Sequence, residues 1–359
     1  MFAWLSKTFE ISHSDHRTIR SMEGLRGFAV FLVFLVHYNT LIEPLLGTNV
    51  LERQLTGILR NIGNSGVDLF FVLSGYLIYG LQMRKPGQFK KYIHRRAQRI
   101  YPTFLSVFLL YLVLSALLPA QNKIPTDPIK AIIYIVENLL FLPGLFDIDP
   151  IITVAWSLSY EFFYYLAVPL LIVLTGMGRW ERTTRIIFFV TLSIIGFYLA
   201  GTYGGPVRLL MFIAGILLYE TIDSRAIRFP SYFGLAALIG AVIVMPGIKY
   251  FDVNGVWRFI LLYISFFLLC LGCFCTDGIT PRTFSWTPLR WYGNMSYSYY
   301  LIHGLTLKAA FLIFALINPF HDSAYIFWLL LIPMFIITLI PSTLLFITVE
   351  KPFSVNRRE

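Results

Sequence analysis

The chain has 359 residues, 57% of them hydrophobic and 13% charged, where an ordinary soluble domain carries about 25% charged residues. The apolar residues form continuous runs rather than alternating ones, which excludes a transmembrane β-barrel as well as a water-soluble globule. The net charge of +10 would suit nucleic acid in a soluble protein, but here the basic residues sit in short loops between apolar runs. Nucleic acid is therefore excluded as a partner, and orientation in a membrane explains the charge.

In chain order, the first 25 residues are polar. The apolar stretch after them is too long for a cleaved signal and lacks a small-residue cleavage site, so it is a retained first span. About ten transmembrane helices follow from the hydropathy, at about 27–46, 66–82, 101–118, 153–174, 186–201, 206–221, 231–248, 256–275, 295–317 and 324–348. The fold class is all-α, a polytopic membrane helix bundle, expected as one integral-membrane domain over 1–359 with no appended soluble domain. With both termini cytoplasmic, most of the 29 basic residues fall on the inside, as the positive-inside rule requires. The longest outside segment, about 119–152, is rich in proline, and its middle, Ile129–Leu140, reads as a short interfacial helix. Cys270, Cys273 and Cys275 share one apolar run and read as buried, inert thiols; no metal site is expected.

Ionisable groups inside spans are costly and usually face a bundle interior or a cavity. In the first span Glu23, Arg26 and His37 share one stripe, because the 11 residues from Arg26 to His37 bring the helix nearly full circle. His37 then lies about 17 Å along the axis from Arg26, past the bilayer middle. Asp68 stands near the outer end of span two, with Ser74 and Gly75 permitting close helix approach. The loop 84–102 is rich in cations, holds no acid, and carries Arg95, Arg96 and Arg99; it serves as a membrane anchor or as a binding site for an anionic, phosphate-rich molecule. Two further stripes are Ser157, Glu161 and Tyr164 or Tyr165, preceded by Trp156, and Ser296, Tyr299 or Tyr300, and His303. A structural histidine bonded to a neighbouring helix is the alternative for His37, helix packing explains Ser74 and Gly75 but not Asp68, and an interfacial belt explains the tyrosines but not Glu161 and His303.

Acyl transfer to an alcohol needs a base, oxyanion stabilisation and a donor site. A histidine supplies the first near neutral pH, Arg or Tyr the second, and an arginine loop the third, for the phosphates of coenzyme A. No Walker motif, glycine-rich phosphate loop or metal motif is present. The chain resembles the integral-membrane acyltransferase-3 family. The resemblance rests on Glu23-Gly24-Leu25-Arg26-Gly27 with His37, on Gly66-Val67-Asp68-Leu69-Phe70-Phe71 with Leu73-Ser74-Gly75, and on Arg96-x-x-Arg99-Ile100-x-Pro102. It is extended by Trp156-Ser157-Leu158-x-x-Glu161, Ser296-Tyr297-x-x-Tyr300-Leu301-x-His303 and Glu350-Lys351-Pro352. It implies acylation, usually acetylation, of a hydroxyl on a bacterial surface polysaccharide, exopolysaccharide or lipid-linked precursor at the inner membrane. Acetyl-CoA or another acyl-CoA is the implied donor substrate, with no permanently bound cofactor. It further implies that His37 is catalytic, with Arg26 and the Arg96/Arg99 pair essential for the donor; Glu23 departs mildly from the family's usual Asp. The expected site therefore comprises His37, Glu23, Arg26 and Glu161 as catalytic groups and Arg95, Arg96, Arg99 and Ser74 around the donor. Asp68, Trp156, Ser157, Ser296, Tyr300 and His303 are expected as substrate or structural support. Membrane lipids and a second copy in a homodimer complete the expected partners. A glycolipid transporter or flippase is the competing class, since it too buries charges in a ten-helix bundle.

Overall fold

In the computed structural model, residues 2–11, 17–46, 50–84, 87–222, 230–248, 255–274, 278–317 and 325–355 are described; Cys275 lies outside them. The elements among them are helical throughout. In chain order they are α1 (Phe2–Phe9), α2 (Arg17–Ile42), α3 (Val50–Gly63), α4 (Ser65–Arg84), α5 (Phe89–Leu117), α6 (Pro128–Leu139), α7 (Trp156–Thr175), α8 (Arg182–Tyr203), α9 (Leu210–Ile222), α10 (Tyr232–Ile248), α11 (Val256–Phe274), α12 (Ile279–Phe284), α13 (Thr287–Asn294), α14 (Ser296–Ile317) and α15 (Ile326–Leu345). A π-helical segment, Phe346–Val355, continues α15.

Eight helical segments among the described residues are long and apolar enough to cross a membrane. The other two expected spans fall on α9, with 13 residues, and α10, with 17. Both are shorter than the roughly 20 residues that cover a bilayer. The second span is longer than the hydropathy suggests. It runs Glu52–Arg84, 33 residues, because α3 and α4 are separated by Asn64 alone. Asp68 therefore stands at its midpoint and not near its outer end. The polar residues of α3 disguise the extension; Arg60 pairs with Glu43, and the backbone carbonyl of Asn61 accepts from Arg258 Nη2 at 2.8 Å.

The chain divides into two compact units, Met1–Gly87 with Ala167–Ser296, and Gln88–Leu166 with Tyr297–Glu359. In the first, α2 packs against α3, α4, α12 and α13, and α4 against α9. Several of these crossings are backbone on backbone, α2 on α13 and α4 on α9 among them. A Cβ on Gly27 would run into the Leu289 carbonyl oxygen, and one on Gly75 into that of Phe212. Helices this close gain dispersion contact along the whole crossing, which is how packing replaces the hydrophobic effect in lipid. In the second unit, α5 packs against the π-helical segment. Pro352 lies inside that segment, and its missing N–H breaks the regular α-ladder. The expected interfacial helix is α6: Asp127 caps it by accepting from Lys130 N at 2.9 Å, Pro128 opens it, and Ile129, Ile132 and Ile133 are exposed along it.

Candidate functional site

In the first unit the expected stripe lies on one unbroken helix, α2, so the 100° geometry holds from Glu23 to His37. Arg26 Nη2 donates to Ser296 Oγ at 3.0 Å, joining two residues singled out from distant motifs. Glu23 is buried and accepts from Arg290 Nε at 2.8 Å. Arg290, itself 4% exposed, also pairs with Glu10, whose second oxygen accepts from Trp291 Nε1 at 3.1 Å. Glu23 is thus one end of a buried acid–arginine–acid set that ties α1, α2 and α13 together. His37 is half-buried, on the stretch of α2 that Gly63 crosses at Val36. Ser74, beside Gly75 on α4, is half-buried as well.

Asp68 has no exposed surface, and Arg208 Nε stands 3.8 Å from its Oδ1. Arg208 precedes α9, which runs alongside α4 from Phe212 at Gly75 to Tyr219 at Gly80. The next residue, Glu220, is held by Arg185 through two bonds of 2.6 and 3.0 Å and by Tyr79 Oη at 2.5 Å. Such a fork is the strongest arrangement a guanidinium makes with a carboxylate. It locks α8, α9 and α4 at one end.

The second unit separates the arginines by environment. Arg96 lies against two phenol rings that meet edge to face, 5.4 Å from the centroid of Tyr92 and 5.2 Å from that of Tyr165. Tyr165 Oη donates to Glu161 Oε1 at 2.5 Å, and the Glu161 charge reaches Arg96. A guanidinium near aromatic rings gains cation–π attraction. Arg99 instead pairs with the fully buried Glu350, Nη2 to Oε1, at 2.9 Å. Glu350 Oε2 accepts from Ser298 N at 3.0 Å and Ser298 Oγ at 2.6 Å. Tyr297 lies beside Arg99, whose guanidinium carbon is 6.0 Å from the ring centroid, and its Oη donates to Ile100 O at 2.9 Å. Arg95 is exposed.

Two other predicted stripes meet. Ser157 Oγ and Tyr300 Oη are 2.7 Å apart, and Tyr300 donates to Val154 O at 3.0 Å. Trp156 packs edge-on against Tyr160 at 5.6 Å. His303 is fully buried, and its Nδ1 lies 2.9 Å from both Tyr299 O and Tyr300 O. Carbonyls only accept, so Nδ1 carries a proton. His37 and Arg26 belong to the first unit, Arg96, Arg99, Glu161 and His303 to the second.

Sequence reasoning missed Arg290, Arg208, Glu220 and Arg185, and gave Glu350 no role. Arg290 and Arg185 look like loop cations, and Glu350 like a tail residue. Only Glu220, an acid inside an apolar run, carried a usable signal.

These features define a multi-pass α-helical membrane protein whose polar residues gather in buried acid–arginine sets. The chain belongs to the acyltransferase-3 family, whose acyltransferase domain matches residues 19–347. Among its relatives are YrhL of Bacillus subtilis, 25% identical over 332 residues (81% of this chain, 50% of that one), and the exopolysaccharide production protein ExoZ of Rhizobium meliloti, 27% identical over 181 residues (46% and 53%). The peptidoglycan O-acetyltransferase OatA of Listeria monocytogenes is 22% identical over 284 residues (67% and 44%). The chain spans about half the length of the curated relatives it matches. No solved structure matches it.

Proposed function

We propose that this chain transfers an acyl group, acetyl first among them, from an acyl-CoA to a hydroxyl of a bacterial surface glycan or its lipid-linked precursor. His37 removes the hydroxyl proton as the oxygen attacks the thioester carbonyl. The C–S bond of the resulting tetrahedral oxyanion then breaks, and His37 returns the proton to the departing thiolate. A positive group beside the oxyanion lowers the barrier; Arg26, about 17 Å along α2 from His37 and bonded to Ser296, is assigned instead to the donor. Arg96 and Arg99 are assigned to the phosphates of the donor. The protein is placed in the inner membrane with both termini cytoplasmic.

The observation that carries this reading is the family match over 19–347, which takes in His37 on the same unbroken helix as Arg26. Support for the acceptor class comes from relatives named for peptidoglycan O-acetylation and exopolysaccharide production. The test is purified protein in lipid nanodiscs with acetyl-CoA and glycan extract, following free thiol and acetylated sugar. Wild type should release thiol and form ester, and His37→Ala should lose at least about a hundredfold of both. Glycolipid movement with no thiol release would move the chain to the transporter class.

A further inference from the structure

The Asp68–Arg208 pair does not take part in the chemistry above, and its geometry is unfinished. Asp68 is fully buried at mid-span, and neither carboxylate oxygen accepts a hydrogen bond among the described residues. A buried carboxylate without donors is expensive. Arg208 Nε, 3.8 Å from Oδ1, is too far to be that donor. Arg208 is 19% exposed, so the pair reaches from a closed floor to an accessible rim. The charge of Arg258 reaches Asp68 as well, and both guanidiniums lie against the Phe259 ring, at 5.6 and 5.7 Å.

A gap of 3.8 Å between a donor nitrogen and an acceptor oxygen admits one oxygen at about 2.8 Å from each. That oxygen must accept from Arg208 and donate to Asp68. A hydroxyl does both; a carboxylate or phosphate oxygen has no proton to give. We propose that Asp68 and Arg208 form an acceptor subsite that binds a sugar hydroxyl, with the apolar edge of Phe259 beside the pyranose ring. This rests on the reading of the chain as a glycan acyltransferase. It makes Asp68 and Arg208 positioning residues that hold a hydroxyl other than the one acylated.

The test needs no donor, so it stands apart from the activity assay. Saturation-transfer NMR is recorded on the full chain in nanodiscs with methyl hexopyranosides and their mono-deoxy analogues as probes. At least one hexopyranoside should bind the wild type, and removing one particular hydroxyl should weaken it about tenfold or more, because a site built for a hydroxyl rejects the analogue that lacks it. Asp68→Asn should weaken the same sugar to the level of its deoxy analogue, and Arg208→Lys, which keeps the charge but moves the donor, should weaken it several-fold. If Asp68→Asn does not fold, the deoxy series on the wild type and Arg208→Lys decide. Equal binding of parent and deoxy sugars, an unaffected variant, or no binding of any probe, which would mean that water alone fills the gap, would each overturn the subsite. Loss of thiol release with sugar binding intact would instead remove the acyltransferase reading.

Discussion

The arginines that the sequence groups as one phosphate-binding pair are held in different ways, and this has separate consequences. Arg96 lies against two tyrosine rings, where a lysine cannot reproduce the planar cation or the forked donors. Arg96→Lys should therefore raise the KM for acetyl-CoA about tenfold or more while the protein still folds, as read by initial rates against donor concentration; an unchanged KM would remove Arg96 from the donor site. Arg99 is tied to Glu350, a carboxylate that also takes two bonds from Ser298. Removing one partner of a buried pair strands the other charge, at a cost of about 3–5 kcal/mol. Glu350→Ala should lower the melting temperature markedly, and the double variant Glu350→Met with Arg99→Met should recover much of the loss. If the double variant melts as low as the sum of the two single ones, the residues are not coupled.

At the level of elements, glycine decides where helices cross. Gly27 sets α2 directly on α13, and a methyl group there meets backbone that cannot yield. Gly27→Ala should cost several kcal/mol, seen as loss of folded protein in detergent. Gly57, on α3, faces nothing within 4 Å. There the same change relieves the entropic penalty of a helical glycine, so Gly57→Ala should be neutral or stabilise by up to about 1 kcal/mol. Comparing the two melting curves separates propensity from packing. The π-helical segment is another element that depends on its neighbours, because it aligns Glu350 with both Arg99 and Ser298.

For the whole molecule, the orientation inferred from charge predicts that Lys91 and Thr126, at opposite ends of the third span, face opposite sides of the membrane. In intact cells a membrane-impermeant maleimide should label Thr126→Cys and spare Lys91→Cys, with the unaltered chain as background; the reverse labelling would invert the topology. Cys270 and Cys273 are buried and should contribute little. Most of the helical order was legible beforehand, because a stretch that must lie in hydrocarbon announces itself by composition and length. The exceptions were α9 and α10, apolar but too short to count as spans, and the second span, which is longer than its hydropathy suggests. Its polar first half, α3, hides in the sequence because a cation such as Arg60 meets its partner, Glu43, only after folding. The same blindness applied to the candidate site. The residues Arg26, His37, Asp68 and Glu161 stood out because a charge in an apolar run is conspicuous, whereas Arg290 and Glu350 did not.

The sequence alone determined that this chain is a multi-pass helical membrane protein, which residues inside it are too costly to be incidental, and that its motifs resemble one acyltransferase family. Those properties depend on each residue's own affinity for water and on local spacing along one helix. Only the tertiary structure decided which charge meets which: Arg290 with Glu23, 267 residues away, Arg99 with Glu350, Arg208 short of Asp68. An ion pair between helices is fixed by how the helices pack, and that packing is set by many small contacts that no single segment contains.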